Sequence, residues 1–529
     1  MPIFFLTCLA IFFIFTVAQK PKQESKQILR FALPSDISTL HFASSSKGCS
    51  INSSHVMSLL FDGLMRRDEN DIPKLAIAKK IDISEDRKTY VFHLRDCYWS
   101  DGVKVTAYDF EYAWRNVIDP DTETTTQTPF FYYPIKNAKK CFVGEISCDC
   151  LGITIPDDQT LIVELEYPAP YFLDLIASPQ FLPAPIHYAK KNHNWATTAE
   201  IVCNGPYTLK KWHHNSELLL SKNPDYWDQE HVYLDEIEVC IIPNSSTVLS
   251  MFEKGQLDWI GSPFIRMSYD ISRDLLDQQY EDALVYWIAF NTDKPVLSNQ
   301  KFRKALAYAI NRKSITDNIF SQSATPLMAV LPHSMSLKDE PYFEDANIAL
   351  AQQYLREALQ ELSLPIESLP EIQLGYVADL EIHHRTTQAI QDQWRTVLGI
   401  KNIVLQPIEY NVYFDNVTYG NYDMGFMGWA SHIHDPLFIL NSFKNKAELM
   451  NKVNWENERF KYLLDASEYA ASKTERHHLL SLAEAILIDE MPIIPICSLK
   501  KQFAKNPKLR GEHISNLQAV DFKTAYFED

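Results

Sequence analysis

The chain has 529 residues, well beyond the usual size of one domain, so two or three cores are expected. Hydrophobic residues at 46% and charged residues at 22% supply ample apolar material for those cores. Asp and Glu number 68 against 50 Lys and Arg, a net charge of −18 with no basic stripe; this balance favours solubility and argues against a nucleic-acid partner.

Residues 3–18, IFFLTCLAIFFIFTVA, are almost wholly apolar but short for a membrane span. With the small residues Thr16-Val17-Ala18 at its end, the run reads as a secretory signal peptide, residues 1–18. It lacks a positive n-region, which leaves an uncleaved N-terminal anchor as the other reading. Residues 19–27, QKPKQESKQ, read as a flexible polar leader, and ILRFALP begins the first strand. Segments 88–95 and 159–166 alternate apolar and polar, as half-buried strands do. Between them, residues 99–120 read WSDGVKVTAYDFEYAWRNVIDP: a turn, a short extended piece, then a helix capped by Thr106 with Phe110, Ala113, Trp114 and Val117 on one face.

Residues 204–227 read as turn, strand, turn, strand and an aromatic corner. A strand over 234–242 follows, then a helix over 245–254 ending at Gly255. Residues 299–318 predict one amphipathic helix, with Phe302, Ala305, Leu306, Ala309 and Ile310 on its apolar face. Helices are expected at 346–362, 384–398, 455–470 and 473–489, interleaved with strands near 371–377, 403–408 and 422–427. Strands and helices that alternate in this way make an α/β chain.

Nine cysteines are present, and Cys8 lies in the apolar leader. The other eight (Cys49, Cys97, Cys141, Cys148, Cys150, Cys203, Cys240 and Cys497) permit disulfides in an exported protein. Cys141 and Cys148 flank Gly144, a spacing compatible with a bridged hairpin, while Cys148-Asp149-Cys150 is too tight for a structural zinc site. There is no G-x-S-x-G, H-E-x-x-H or P-loop lysine motif. No catalytic residue and no cofactor are therefore assigned.

The wording of 99–120 resembles the signature of the bacterial extracellular solute-binding proteins of family 5, and most closely its oligopeptide-binding branch. Further segments resemble the family in the same order: NGPY at 204–207, NPDYW at 223–227, FEKGQLDW at 252–259, KFRKALAYAINRKSI at 301–315, GYVADLEIH at 375–383, QDQW at 391–394, GWASHIHDP at 428–436 and MPIIPI at 491–496. The resemblance implies two lobes around a ligand cleft and a third small domain. Lobe I would comprise 28–58, 190–284 and 500–529, the small domain 59–189, and lobe II 285–499. It implies the substrate-capturing subunit of an ATP-binding-cassette importer. Such a subunit is periplasmic and monomeric, takes an oligopeptide, and meets inner-membrane permease subunits, with the ATPase subunits reached through them. A nickel-chelate or other small-solute receptor is the alternative within the family. A secreted hydrolase or a peptide-holding chaperone is the alternative outside it.

The same resemblance points to a site. Gly428, Trp429 and Ala430 would face the cleft, where backbone pairing adds an extended peptide as a strand. Peptide-binding members usually carry an Asp three residues after this Trp, and here that position is His432. A neutral imidazole cannot match a carboxylate as partner for an ammonium group. Asp435 is the nearest acid that could substitute, or else it caps the turn before Pro436. His432, His434 and Asp435 also raise a metal reading, but a metal site normally needs three or more convergent ligands, and none is assigned. His383, at a helix start, is a second candidate for reaching a peptide carboxylate. Tyr286 and Trp287, where lobe II would begin, are candidates for the cleft wall. Arg303 and Arg312 read as structural ion-pair residues.

Overall fold

The computed structural model describes residues 26–41, 51–122, 128–192, 194–264, 278–320, 323–431, 433–446, 451–517 and 519–529. The apolar leader, Cys49 and His432 lie outside the described residues. No helix among the described residues is long and apolar enough to cross a membrane.

The chain opens with strand β1 (Ile28–Leu33) and helix α1 (Ile51–Leu60). An antiparallel sheet of β2 (Ala78–Ile83), β3 (Thr89–Leu94), β4 (Ile153–Asp157) and β5 (Thr160–Glu164) then builds the small domain, in the order β2-β3-β5-β4. β3 buries every second residue, as its sequence alternation requires. Helix α2 (Ala107–Ile118) packs Phe110, Ala113, Trp114 and Val117 inward. Its buried Asp109 carboxylate accepts hydrogen bonds from Thr106 N–H (2.8 Å), Ile186 N–H (3.0 Å) and Trp99 Nε1 (3.3 Å). The signature segment is thus a structural node in which one acid ties turn, helix start and a distant loop together.

The chain returns to lobe I as β6 (Tyr207–His213), β7 (Glu217–Lys222) and β8 (Glu236–Ile241), and β8 pairs in parallel with β1. The helix expected over 245–254 spans Ser245–Glu253, capped by Asn244. A larger sheet follows, built from β9 (Trp259–Gly261), β10 (Gln278–Phe290), β11 (Ala324–Pro326), β12 (Ile372–Val377), β13 (Ile403–Ile408), β14 (Met424–Ala430) and β15 (Ile493–Lys505). Its order is β9-β15-β10-β14-β12-β13, with β11 added to β15. β10 and β15 are 13 residues each, and they pair antiparallel with a register shift between Glu281 and Val285. The lobe limits read from sequence at 284/285 and 499/500 fall inside these two strands. A boundary at those limits would run through continuous sheet.

Helices flank the sheet: α3 (Gln300–Tyr308), α4 (Arg312–Ile319), α5 (Ile348–Leu362), α6 (Glu381–Leu398), α7 (Tyr410–Thr418), α8 (Pro436–Leu440), α9 (Glu458–Glu468) and α10 (Lys473–Glu490). The single helix expected over 299–318 is two, because Asn311 starts the second by accepting from Ser314 N–H at 2.7 Å. Arg312 is fully buried and pairs with Asp345 at 3.0 Å, whereas Arg303 makes no ion pair: it donates to the carbonyls of Leu297, Ser298, Glu490 and Met491. The hairpin expected around Gly144 is instead a short helix (Ala138–Phe142), a turn and a 3₁₀ segment (Cys148–Cys150), and Cys141 and Cys148 are free thiols.

Candidate functional site

Strand β14 lies between β10 and β12, but its two halves are bonded differently. All of it pairs with β10, from Met424 opposite Phe290 to Ala430 opposite Leu284. Its pairing with β12 involves Met424 and Gly425 and stops there. Ser431 N–H donates to Ala283 O at 3.0 Å, which sets the phase of the β10 ladder. Residues 427, 429 and 431 turn their peptide groups toward β10, so Gly428 and Ala430 turn N–H and C=O the other way. No strand among the described residues pairs with that edge beyond Gly425.

Side chains divide between the two faces of this sheet, since neighbours along a strand point to opposite sides. On one face Tyr286 stacks on Phe426 (5.2 Å, 16°), and His383, from the first turn of α6, meets both rings edge-on at 5.4 and 5.0 Å. Gly428 belongs here: a Cβ at this position would lie 2.9 Å from the Tyr286 ring. On the opposite face Trp287 stacks with the half-buried Trp429 (6.0 Å, 20°) and leans on Phe443. The candidate aromatics and His383 therefore form two walls, one on each side of the open edge.

Trp429, Val285 and Ser498 lie on one rung across β14, β10 and β15. Paired residues point to the same face, so Trp429 Nε1 and Ser498 Oγ share a side of the sheet. Both atoms are buried and lack a hydrogen-bond partner among the described residues, as does Tyr280 Oη further along β10. Native interiors rarely leave such groups unmet, and a cluster of them marks a place where ligand or water completes the bonding.

Ala430 and Ser431 open into a cavity of about 260 Å³ walled also by residues from 54–67, 177–182 and 513–521. Its floor is a fixed polar network. Asp62 is buried and accepts from Tyr226 Oη (2.7 Å) and Trp227 Nε1 (3.0 Å). Asn204 spans its backbone, accepting from Asp62 N–H at 3.1 Å and donating to Asp62 O at 3.0 Å. Arg66 pairs with both oxygens of Asp521 at 2.7 and 2.8 Å. Burial works against the Arg66 charge, but Asp521 and Asp62 outweigh it and hold the guanidinium protonated. The NGPY and NPDYW segments thus brace this floor rather than touch a ligand. His55, from α1, also lines the cavity; burial lowers its pKa to about 4, and its Nε2 has no partner. Sequence reading missed His55, Ser498 and Tyr280. The one signal for the Asp62 node is that Asn204, Tyr226 and Trp227 are polar or amphipathic groups that need a buried partner.

Asp435 lies away from the open edge in its bonding. Its carboxylate caps α8 by accepting from Leu437 N–H at 2.9 Å, and both oxygens bind Arg476 at 2.8 and 2.9 Å. Among the described residues no three His, Cys, Asp or Glu side chains are placed to hold a metal ion.

Comparison with known proteins shows the family and the fold. Residues 73–451 match the model of the bacterial extracellular solute-binding proteins, family 5 Middle. The oligopeptide-binding protein OppA of Bacillus subtilis is 38% identical over 479 residues, 88% of this chain and 87% of that protein. Among solved structures, a periplasmic oligopeptide-binding protein of Borrelia burgdorferi is 26% identical with a TM-score of 0.77, covering 95% of this chain and 100% of its own. Listeria monocytogenes OppA, solved bound to peptide, is 25% identical with a TM-score of 0.75, covering 95% and 99%.

Proposed function

This chain belongs to the bacterial extracellular solute-binding proteins of family 5, and from that membership we propose that it captures oligopeptides and delivers them to an ATP-binding-cassette importer. Its relatives are solute-binding proteins, and no catalytic step is assigned to it. The observation that carries the peptide reading is the open edge at Gly428 and Ala430. An extended peptide laid there continues the sheet, and its backbone takes the bonds that β12 leaves unmade. Its alternate side chains would then meet the Trp287–Trp429 wall and the Tyr286–His383 wall in turn, which suits a receptor for many sequences. Trp429 Nε1, Ser498 Oγ and His55 Nε2 are further groups that such a ligand or its waters would satisfy.

The working form is a monomer outside the inner membrane that docks on permease subunits. The 1–18 leader directs export. Closure bends β10 and β15 where their register shifts, near Glu281 and Val285. Because Asp435 is bonded to Arg476 and His432 stands where the family resemblance implies an acid, we infer that the ligand's N-terminal ammonium is not read by that contact. Mass spectrometry of ligand released from gently purified, then denatured protein tests the assignment, followed by calorimetric titration with the peptides found. A set of short peptides, bound within severalfold in free and N-acetylated forms, supports it. A metal chelate or a non-peptide solute as the released ligand overturns it.

A further inference from the structure

Beyond the cleft, a second cavity of about 350 Å³ lies between the small domain and lobe II. Pockets of this order, roughly 300–1,000 Å³, are the usual size for small-molecule sites. Phe130, Tyr133 and Tyr171 wall it from the small domain and Phe438 from α8. The two sides are already in contact, with the Phe131 and Phe438 rings stacked at 5.6 Å. The two linings share no residue, so the two spaces are distinct.

Glu468, the last residue of α9, lines this cavity with only 5% of its surface exposed, and its carboxylate makes no hydrogen bond or ion pair among the described residues. The charges around it are otherwise engaged: Lys444 is held by Asp465, and Arg476 by Asp435. Lys139, Lys140 and Lys444 line the cavity too; Lys139 and Lys140 are exposed, and Lys139 Nζ stands 5.8 Å from the Tyr133 ring centroid, so an ammonium group of the chain already lies over that ring. A buried carboxylate without a partner must take up a proton or a cation. The electron-rich faces of the surrounding rings favour a cation as well.

We propose that this cavity is a second binding site, for an alkylammonium group, with Glu468 as its counter-ion and Phe130, Tyr133, Tyr171 and Phe438 as an aromatic cage. A group bound there touches the small domain and lobe II at once, and so favours the arrangement in which they meet. With a free amine as ligand the site stands independently of what the main cleft holds; with a peptide side chain it rests on the proposed peptide capture. The ammonium belongs either to a free amine or to a lysine side chain of a cleft-bound peptide.

The state of Glu468 gives the site a readout. Burial raises its pKa to about 7, Asp465 adds to the rise, and Lys444 and Arg476 oppose it; the Tyr171 phenol stays neutral. At pH 7 the acid is partly protonated, so a bound cation expels a proton. The mature protein and its Glu468→Gln variant are titrated with cadaverine, trilysine and trialanine at pH 7, in two buffers of different ionisation enthalpy. Cadaverine binding that releases protons and weakens at least tenfold in the variant supports the proposal with a free amine as ligand. The same pattern with trilysine alone supports it with a peptide side chain as ligand. Trialanine binds both proteins alike in either case. Should the variant not fold, Phe438→Leu, which removes one ring of the cage, is expected to weaken the same probes severalfold. Equal affinities in wild type and variant with no proton release overturn the proposal, even if peptide capture in the main cleft is established. A cadaverine response in a protein that binds no peptide leaves it standing.

Discussion

Two regions of the cleft use buried polar atoms in opposite ways. In the floor around Asp62, donors and acceptors meet: the carboxylate takes Tyr226 and Trp227, Asn204 spans its backbone, and Arg66 is clamped by Asp521. On the rung through Trp429 and Ser498, and at His55, buried groups face no partner. The first arrangement fixes a shape. The second carries an unmet demand, which under the proposed function a bound molecule satisfies. That proposal puts stability in one region and recognition in the other, so equal truncations should have unequal consequences.

The largest effect is expected where bonding is complete. Asp62→Ala strands Tyr226 Oη, Trp227 Nε1 and part of the Arg66 charge in the interior, and should lower unfolding free energy by ~3–5 kcal/mol in denaturant titration. A loss under 1 kcal/mol would mean that the floor is not a structural brace.

His55 gives the next effect, through pH. Its pKa falls from 6.5 in the unfolded chain to about 4 on burial, so between those values the unfolded state binds the extra proton. Its contribution to stability is therefore intact above pH 6.5 and declines as pH falls, by about 1.4 kcal/mol per pH unit, until it levels off near pH 4. His55→Gln should flatten the measured stability profile in this window. Glu468 has the opposite sign: its raised pKa gives a contribution present below the unfolded value near 4.5 and lost as pH rises through about 7. An unchanged profile in the His55 variant would contradict the burial account.

A smaller change sharpens the contrast from the edge itself. Gly428→Val places a Cβ against the Tyr286 ring, with a cost of ~1–3 kcal/mol from overpacking, and it should weaken binding as well by disturbing the edge. The smallest effect on stability is expected at Trp429. Trp429→Phe removes a buried N–H that has no hydrogen-bond partner among the described residues, so stability should change by less than about 1 kcal/mol while ligand affinity falls. A large drop in melting temperature would show that this Trp belongs to the core.

Much of this was legible in the chain. Alternation marked β3 and β5, and the order of family-like segments marked the two-lobed plan. The break at Asn311 has two local signs: at about 100° per residue Ile315 and Ile319 fall off the face that carries Phe302, Ala305, Leu306 and Ala309, and an Asn stands three residues before Ser314. β15 was missed as a strand because its first half is a continuous apolar run interrupted by Pro495, with no alternation to read. At the site, Gly428 to Ala430 carried a recognisable wording. Ser498 and Tyr280 did not, since their place beside Trp429 and Val285 comes from register between strands far apart in sequence. Asp435 had two sequence readings, and the cap with Arg476 depends on a helix 41 residues away.

The central claim is that the edge at Gly428 and Ala430 binds a peptide backbone as an added strand. It is tested most directly by calorimetry with one bound peptide, N-methylated at each successive residue in turn. Methylation at alternate positions should cost about 1–3 kcal/mol each, because it removes a donor and leaves an edge carbonyl unmet, while the positions between should tolerate it. Uniform losses, or none at any position, would contradict strand addition at this edge.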